Sequence, residues 1–104
     1  MRVANIFVSG QLAARLEEVE PGRHYRLSYQ PAYDGPPVSL TLPTSTREYS
    51  FNEFPPFFDG LLPEGVMLEG LLKQVKCDRT DCFGQLIAVG ADLVGAVTVE
   101  EVPE

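Results

Sequence analysis

The order of patterns along this chain predicts an α+β domain. Strand-like alternation runs from the N-terminus to Leu42, helical spacing occupies residues 55–90, and one more strand pattern ends the chain. At 104 residues, 44% apolar and 22% charged, the sequence suits one globular domain with a single core. The expected architecture is a small antiparallel sheet of barrel-like hairpins, about five strands in all, with two or three helices between the fourth strand and the last.

Residues 2–18 read as a β-hairpin. Val3 to Val8 is an apolar run, Ser9-Gly10 is a turn signal, and Leu12, Ala14 and Leu16 then alternate with polar or small residues. Pro21-Gly22 marks a second turn. From Arg23 to Gln30, Tyr25, Leu27 and Tyr29 face one way and His24, Arg26 and Ser28 the other. His24 is therefore a solvent-face strand residue with little claim to catalysis. Pro31 to Pro37 is a loop. Val38-Ser-Leu-Thr-Leu42 alternates again and predicts a fourth strand ended by Pro43. Thr44 to Ser50 reads as an exposed connection.

Ser50-x-x-Glu53 resembles a capping box, yet Pro55-Pro56 breaks any helix begun there. The first helix is expected to start at the prolines, which suit a first turn. Phe54, Phe57, Phe58, Leu61 and Leu62 form an apolar cluster, mostly core. Pro63-Glu64-Gly65 turns the chain. Leu68, Leu71, Leu72 and Val75 then have the spacing of an amphipathic helix over Val66–Val75. Gly70 weakens that helix by about 1 kcal/mol relative to alanine, which suggests a closely packed neighbour. Asp78 or Thr80 is expected to cap a further helix carrying Phe83, Leu86 and Ile87, with Gly90 as its C′ residue. Val94 to Val102 is the last strand.

Eight Lys+Arg against 15 Asp+Glu give a net charge of −7. Such a chain is a poor ligand for a nucleic-acid backbone or an anionic membrane surface. Its acidity keeps it soluble and can steer it to a basic partner. No window has the apolar length of a membrane span, and Asn5 and Ser9-Gly10 interrupt any signal-peptide core, so the expected location is the cytoplasm. Cys77 and Cys82, spaced Cys-x4-Cys, and a single histidine make no convincing zinc site, and two reduced thiols are expected. Catalytic signatures are missing, including Gly-x-Ser-x-Gly, a Walker loop and His-Glu-x-x-His. Asp81-Cys-Phe-Gly84 has one residue more than a kinase Asp-Phe-Gly element and lies in a predicted helix. Asp78 and Asp81 sit where carboxylates complement a helix dipole. Glu64 reads first as a turn carboxylate bonding nearby amides, and second as an acid presented to a partner. No catalytic residue, cofactor or metal is expected.

Four features, in order, carry a family resemblance: the opening hairpin, Val38-Ser-Leu-Thr-Leu-Pro43, Phe57-Phe-Asp-Gly-Leu-Leu-Pro-Glu64, and Gly90-Ala-Asp-Leu-Val-Gly-Ala-Val97. Over essentially its whole length the chain resembles the N-terminal subdomain of the HipA family of bacterial persistence kinases. In that family the subdomain packs on a kinase core, which holds the ATP and magnesium residues. The resemblance implies a stand-alone, HipS-like antitoxin that inhibits a separate HipA-like kinase toxin (HipT-like). It also implies a HipB-like helix-turn-helix DNA-binding protein, met through the complex. The implied contact residues are Leu62, Pro63, Glu64, Gly65, Val66 and Met67, projecting towards the kinase active-site cleft. Similar stand-alone chains can carry a tryptophan directly after this turn. Val66 holds that place here, with Met67 the other candidate for the tip. The alternative is the first subdomain of a full-length HipA-type kinase toxin, truncated for expression.

Overall fold

A two-residue turn sets the register of the sheet. Ser9 (φ 49°) and Gly10 (φ 82°) both have left-handed backbone, as a type I′ hairpin turn requires. In the computed structural model, which describes residues 1–93 and 95–103, they join β1 (Arg2–Val8) to β2 (Gln11–Glu20). β3 (His24–Tyr29) pairs with β2, β4 (Glu48–Phe51) pairs with β3, and β5 (Val97–Val102) pairs with β1. All pairings are antiparallel, in the order β4–β3–β2–β1–β5. Three helices follow β4: α1 (Pro56–Asp59), α2 (Gly65–Gln74) and α3 (Cys82–Val89). A short 3-10 turn over Gly90–Asp92 follows α3. The α+β class and the position of the helices agree with the expectation.

Alternation decides the core. Tyr25, Leu27 and Tyr29 are buried, whereas His24, Arg26 and Ser28 on the other face are partly exposed. Ala4, Ile6 and Val8 of β1 and Val97 and Val99 of β5 extend the same buried face. The register shifts twice, between Glu18 and Glu20 where β2 meets β3, and between Ile6 and Phe7 where β1 meets β2. The latter bulge lets Ala13 and Ala14 both be buried. Phe58 brings α1, and Phe83 and Leu86 bring α3, onto this face, and all three are fully buried. The Tyr25 ring meets Phe54 edge-on at 5.5 Å and lies parallel to Phe83 at 6.5 Å, adding aromatic contact to the area buried.

Three local readings need correction. The first is the strand at Val38–Leu42, which is a turn. Ser39 Oγ accepts from Thr41 N at 3.2 Å, and Leu42 N donates to Ser39 O at 2.9 Å. The Tyr29 hydroxyl accepts from Val38 N and donates to Leu42 O, so both ends are fastened to β3 without a ladder. Val38 and Leu42 are buried and Leu40 is 93% exposed, which reproduces a strand's alternation in a bent chain. The fourth strand is Glu48–Phe51, inside the stretch expected to be an exposed connection. Ser50 pairs with Arg26 there, so it caps nothing. The second concerns the cap of α3. It is Asp81, not Asp78 or Thr80, and its carboxylate accepts from Gly84 N at 3.0 Å.

The third is the role of Gly90. Its φ is −55°, right-handed backbone that needs no glycine. What it needs is the missing side chain: a Cβ there meets Val99 O at 2.1 Å and Val99 C at 2.9 Å. Glycine thus lets the end of α3 lie directly on β5. Gly90→Ala is expected to cost about 3 kcal/mol in urea unfolding, since two main chains must separate. An unchanged midpoint is the contrary result. The last strand begins at Val97, with Gly95 (φ 96°) before it. Val94, expected to open that strand, lies outside the described residues.

Candidate partner-binding surface

The turn between α1 and α2 is stiff by composition. Pro63 restricts its own φ, and Gly65 takes φ 55°, which other residues adopt at a cost. Glu64 is the N-cap residue of α2, in extended backbone (φ −131°, ψ 162°). Its carbonyl accepts from Met67 N at 3.1 Å. Its carboxylate makes no cap hydrogen bond, against the first reading of this residue. The side chain is exposed.

α2 has the predicted spacing, yet none of its residues is buried. Leu68, Leu71, Leu72 and the following Val75 are half-buried. Val66 is 86% and Met67 73% exposed. Among the described residues there is no closely packed neighbour of the kind expected at Gly70: none lies within 4 Å of a Cβ placed there. An ion pair from Glu69 to Arg79 ties the helix to the segment before α3. Between Val66, Met67, Gly70 and Leu71 on α2 and Val89 on α3 lies an open groove of about 270 Å³. Of the six contact residues suggested by the sequence, Leu62 and Pro63 are half-buried at the root of the turn, and Leu62 packs on the core. Glu64, Gly65, Val66 and Met67 form a contiguous exposed tip.

A second cluster escaped the sequence reading. Glu18 follows Ala14 and Leu16 on the buried face of β2 and is only 4% exposed. A carboxylate on that face requires a cation, and hairpin register places Arg2 opposite it. Arg2 Nε and Nη2 donate to the two Glu18 oxygens at 2.8 and 2.9 Å. Its Nη1 and Nη2 donate to the two Asp81 oxygens at 3.0 and 2.7 Å. The guanidinium also sits 5.1 Å from the centre of the Phe83 ring. Tyr25 OH donates to Glu18 at 3.2 Å and accepts from Gly22 N at 2.9 Å. The Arg2 hydrogen bonds hold the Asp81 carboxyl below its usual range, and the two carboxylates push the Arg2 pKa up. Arg2, Glu18, Tyr25 and Asp81 line a cleft of about 550 Å³ with Phe54 and Thr80. Each hydrogen bond of the Arg2 guanidinium goes to this chain's own carboxylates, so the cluster reads as a clasp between the hairpin and α3.

Burial raises the pKa of both Cys77 and Cys82, which favours the unreactive thiol. Both are free and half-buried. Among the described residues no group of His, Cys, Asp and Glu is placed to hold a metal ion. No described helix is long and apolar enough to cross a membrane.

Fold and surface together define a small α+β domain with one bare apolar helix. The family model of the HipA N-terminal domain matches residues 4–100, and the chain belongs to this family. The family domain is not the catalytic part of the HipA kinase. An uncharacterized protein of Haemophilus influenzae is 31% identical over 101 residues, spanning 97% of this chain and 93% of that one. Among solved structures, an N-terminal domain of HipA toxin superposes with a TM-score of 0.78 at 26% identity, covering 100% of this chain and 95% of that one.

Proposed function

We propose that this chain is a non-catalytic antitoxin that binds a separate HipA-like kinase toxin, HipT-like in kind, and inhibits it by docking at the active-site cleft. The observation that carries the reading is the exposed apolar pair Val66 and Met67 on a helix with no buried residue. The tip enters the cleft first, preorganised by Pro63 and Gly65, which lowers the entropy lost on binding. Val66 and Met67 fill an apolar pocket in place of a single large aromatic. The flexible thioether of Met67 adapts to an irregular wall. The net charge of −7 favours approach to a basic cleft. The Haemophilus influenzae relative supports a stand-alone role, since 93% of its length is matched by this one domain. A HipB-like DNA-binding protein joins through the kinase, in the cytoplasm.

A second reading follows from the likeness to the N-terminal domain of HipA toxin. In it the chain is the first subdomain of a full-length kinase, and α2 packs on its own kinase core. Affinity capture of the tagged chain from its source cells, with mass spectrometry, separates the two. Recovery of a HipA-like kinase as a separate polypeptide, whose autophosphorylation falls as the chain is added, is the expected result. Recovery of no kinase, from cells shown to express one, would sink the antitoxin reading. A kinase sequence continuing in frame after Glu104 would favour the second.

A further inference from the structure

α2 has two apolar sides where packing within the chain uses one. At about 3.6 residues per turn, Leu68, Leu72 and Val75 share the side that is half-buried. Val66, Met67, Gly70 and Gln74 share another, with Gln74 its one polar member. Glu69 and Lys73, four residues apart, occupy a third. The second side is therefore not the helix's charged solvent face. It lines the groove of about 270 Å³ that Val89 of α3 completes.

Gly70 makes the notch in this groove. Nothing among the described residues accounts for a glycine at this position. A Cβ there has open space around it, and the backbone is not left-handed. Glycine is also a poor residue for a helix interior. What its absence of a side chain creates is room for something from outside. At the N-terminal end of α2, beside Pro63, Glu64 is exposed and makes no cap hydrogen bond. Glu69, by contrast, is engaged with Arg79. The groove thus has largely apolar walls, and one uncommitted carboxylate stands next in sequence to Pro63, which lines it.

We infer that the notch over Gly70 receives one large apolar side chain of the HipA-like kinase, with a Lys or Arg of the kinase paired to Glu64, an inference that rests on the antitoxin reading. Charge selects this occupant over a second copy of the chain. Another copy brings its own net charge of −7 and its own Glu64 to the contact, and like charges oppose association. A basic rim around an apolar side chain complements the surface in both respects. The contact is reciprocal: the domain inserts Val66 and Met67 and is itself entered one turn further along the same helix.

The test is a titration of purified kinase with the full chain and its Gly70→Ala, Gly70→Leu, Gly70→Glu and Glu64→Gln variants, at low and high salt, beside thermal melts of each. Gly70→Leu should melt at or above the wild-type temperature, because leucine is a much better helix former than glycine. It should nevertheless bind about 30-fold more weakly, the range of an interface hot spot. Gly70→Glu should weaken binding at least as much while melting cooperatively, and Gly70→Ala should fall between wild type and Gly70→Leu. Glu64→Gln should bind about 5-fold more weakly at low salt and flatten the salt dependence. Wild-type affinity in a folded Gly70→Leu variant would overturn the notch, and an unaltered salt dependence in Glu64→Gln would overturn the cation. Self-association abolished by Gly70→Leu would reassign the notch to a second copy. Failure of the wild-type chain to bind any HipA-like kinase is a different result, and removes the antitoxin reading itself.

Discussion

Replacing Val66 and Met67 together by aspartate is expected to release the kinase from inhibition while the domain stays folded. The two side chains are 86% and 73% exposed, so the folded chain loses almost no packing. Both lie in the first turn of α2, where acidic residues are favourable. In the complex the same change places two carboxylates in an apolar pocket, where an unpaired charge is costly. A loss of about 3 kcal/mol, or roughly 150-fold in affinity, is the expectation for the double variant. Single variants divide this unequally, and Met67→Asp is expected to lose more, since methionine has the larger apolar surface. The readout is kinase autophosphorylation against antitoxin concentration, with circular dichroism confirming the fold. Full inhibition by the double variant would move the contact away from α2. It would also leave Val66 and Met67 as two exposed apolar residues with no assigned purpose.

How much of this was legible beforehand depends on the range of the interaction involved. The opening hairpin was readable because Ser9-Gly10 specifies its own backbone and the flanking residues alternate. β3 was readable for the same reason. Val38–Leu42 misled because its alternation is real while its partner is not a strand. One hydroxyl, from Tyr29, satisfies both Val38 N and Leu42 O. The true fourth strand contains only Glu48–Phe51, and its stability comes from β3, some 20 residues earlier, by a pairing that no short window contains. The cap of α3 had neighbouring candidates of similar propensity. Asp81 prevails because it also meets Arg2, which lies 79 residues away in sequence.

The bare helix was half legible. The spacing of Leu68, Leu71, Leu72 and Val75 located it, and the family resemblance pointed to Leu62–Met67 as its working end. Periodicity alone did not say that its apolar side would stay only half covered. That depends on how far α1 and α3 reach over the sheet, a property of the whole fold. Gly70 illustrates the same limit. Propensity measures the cost of a glycine, and a close neighbour is the usual compensation. Here the space above it is open, so the compensation is sought in a partner.

The clasp of Arg2, Glu18 and Asp81 yields the other large effect. Arg2→Met keeps an unbranched apolar stem and removes both charge-assisted pairs. Glu18, 4% exposed, is left with the Tyr25 hydroxyl alone. Removing one partner of a buried pair commonly costs several kcal/mol. Arg2 is 34% exposed, so solvent screening reduces the figure, and about 2 kcal/mol at neutral pH is expected in urea unfolding. Combining Arg2→Met with Glu18→Leu should recover much of that loss, because an apolar pair of similar volume needs no counter-charge.

The clasp also sets the acid limb of stability. Arg2 is the largest cause of the lowered Asp81 pKa, with the Gly84 amide contributing against desolvation. A carboxyl whose folded pKa lies below its unfolded value stabilises the fold above the unfolded value, at about pH 3.9. That contribution is lost as pH falls through the folded pKa. Wild type should therefore lose stability steeply below about pH 4, while Arg2→Met starts lower and declines less over the same interval. Parallel acid limbs in the two proteins would place the coupling elsewhere. Converging limbs would assign to Arg2 the joining of the first strand to the start of α3, and with it the support beneath the segment that holds α2.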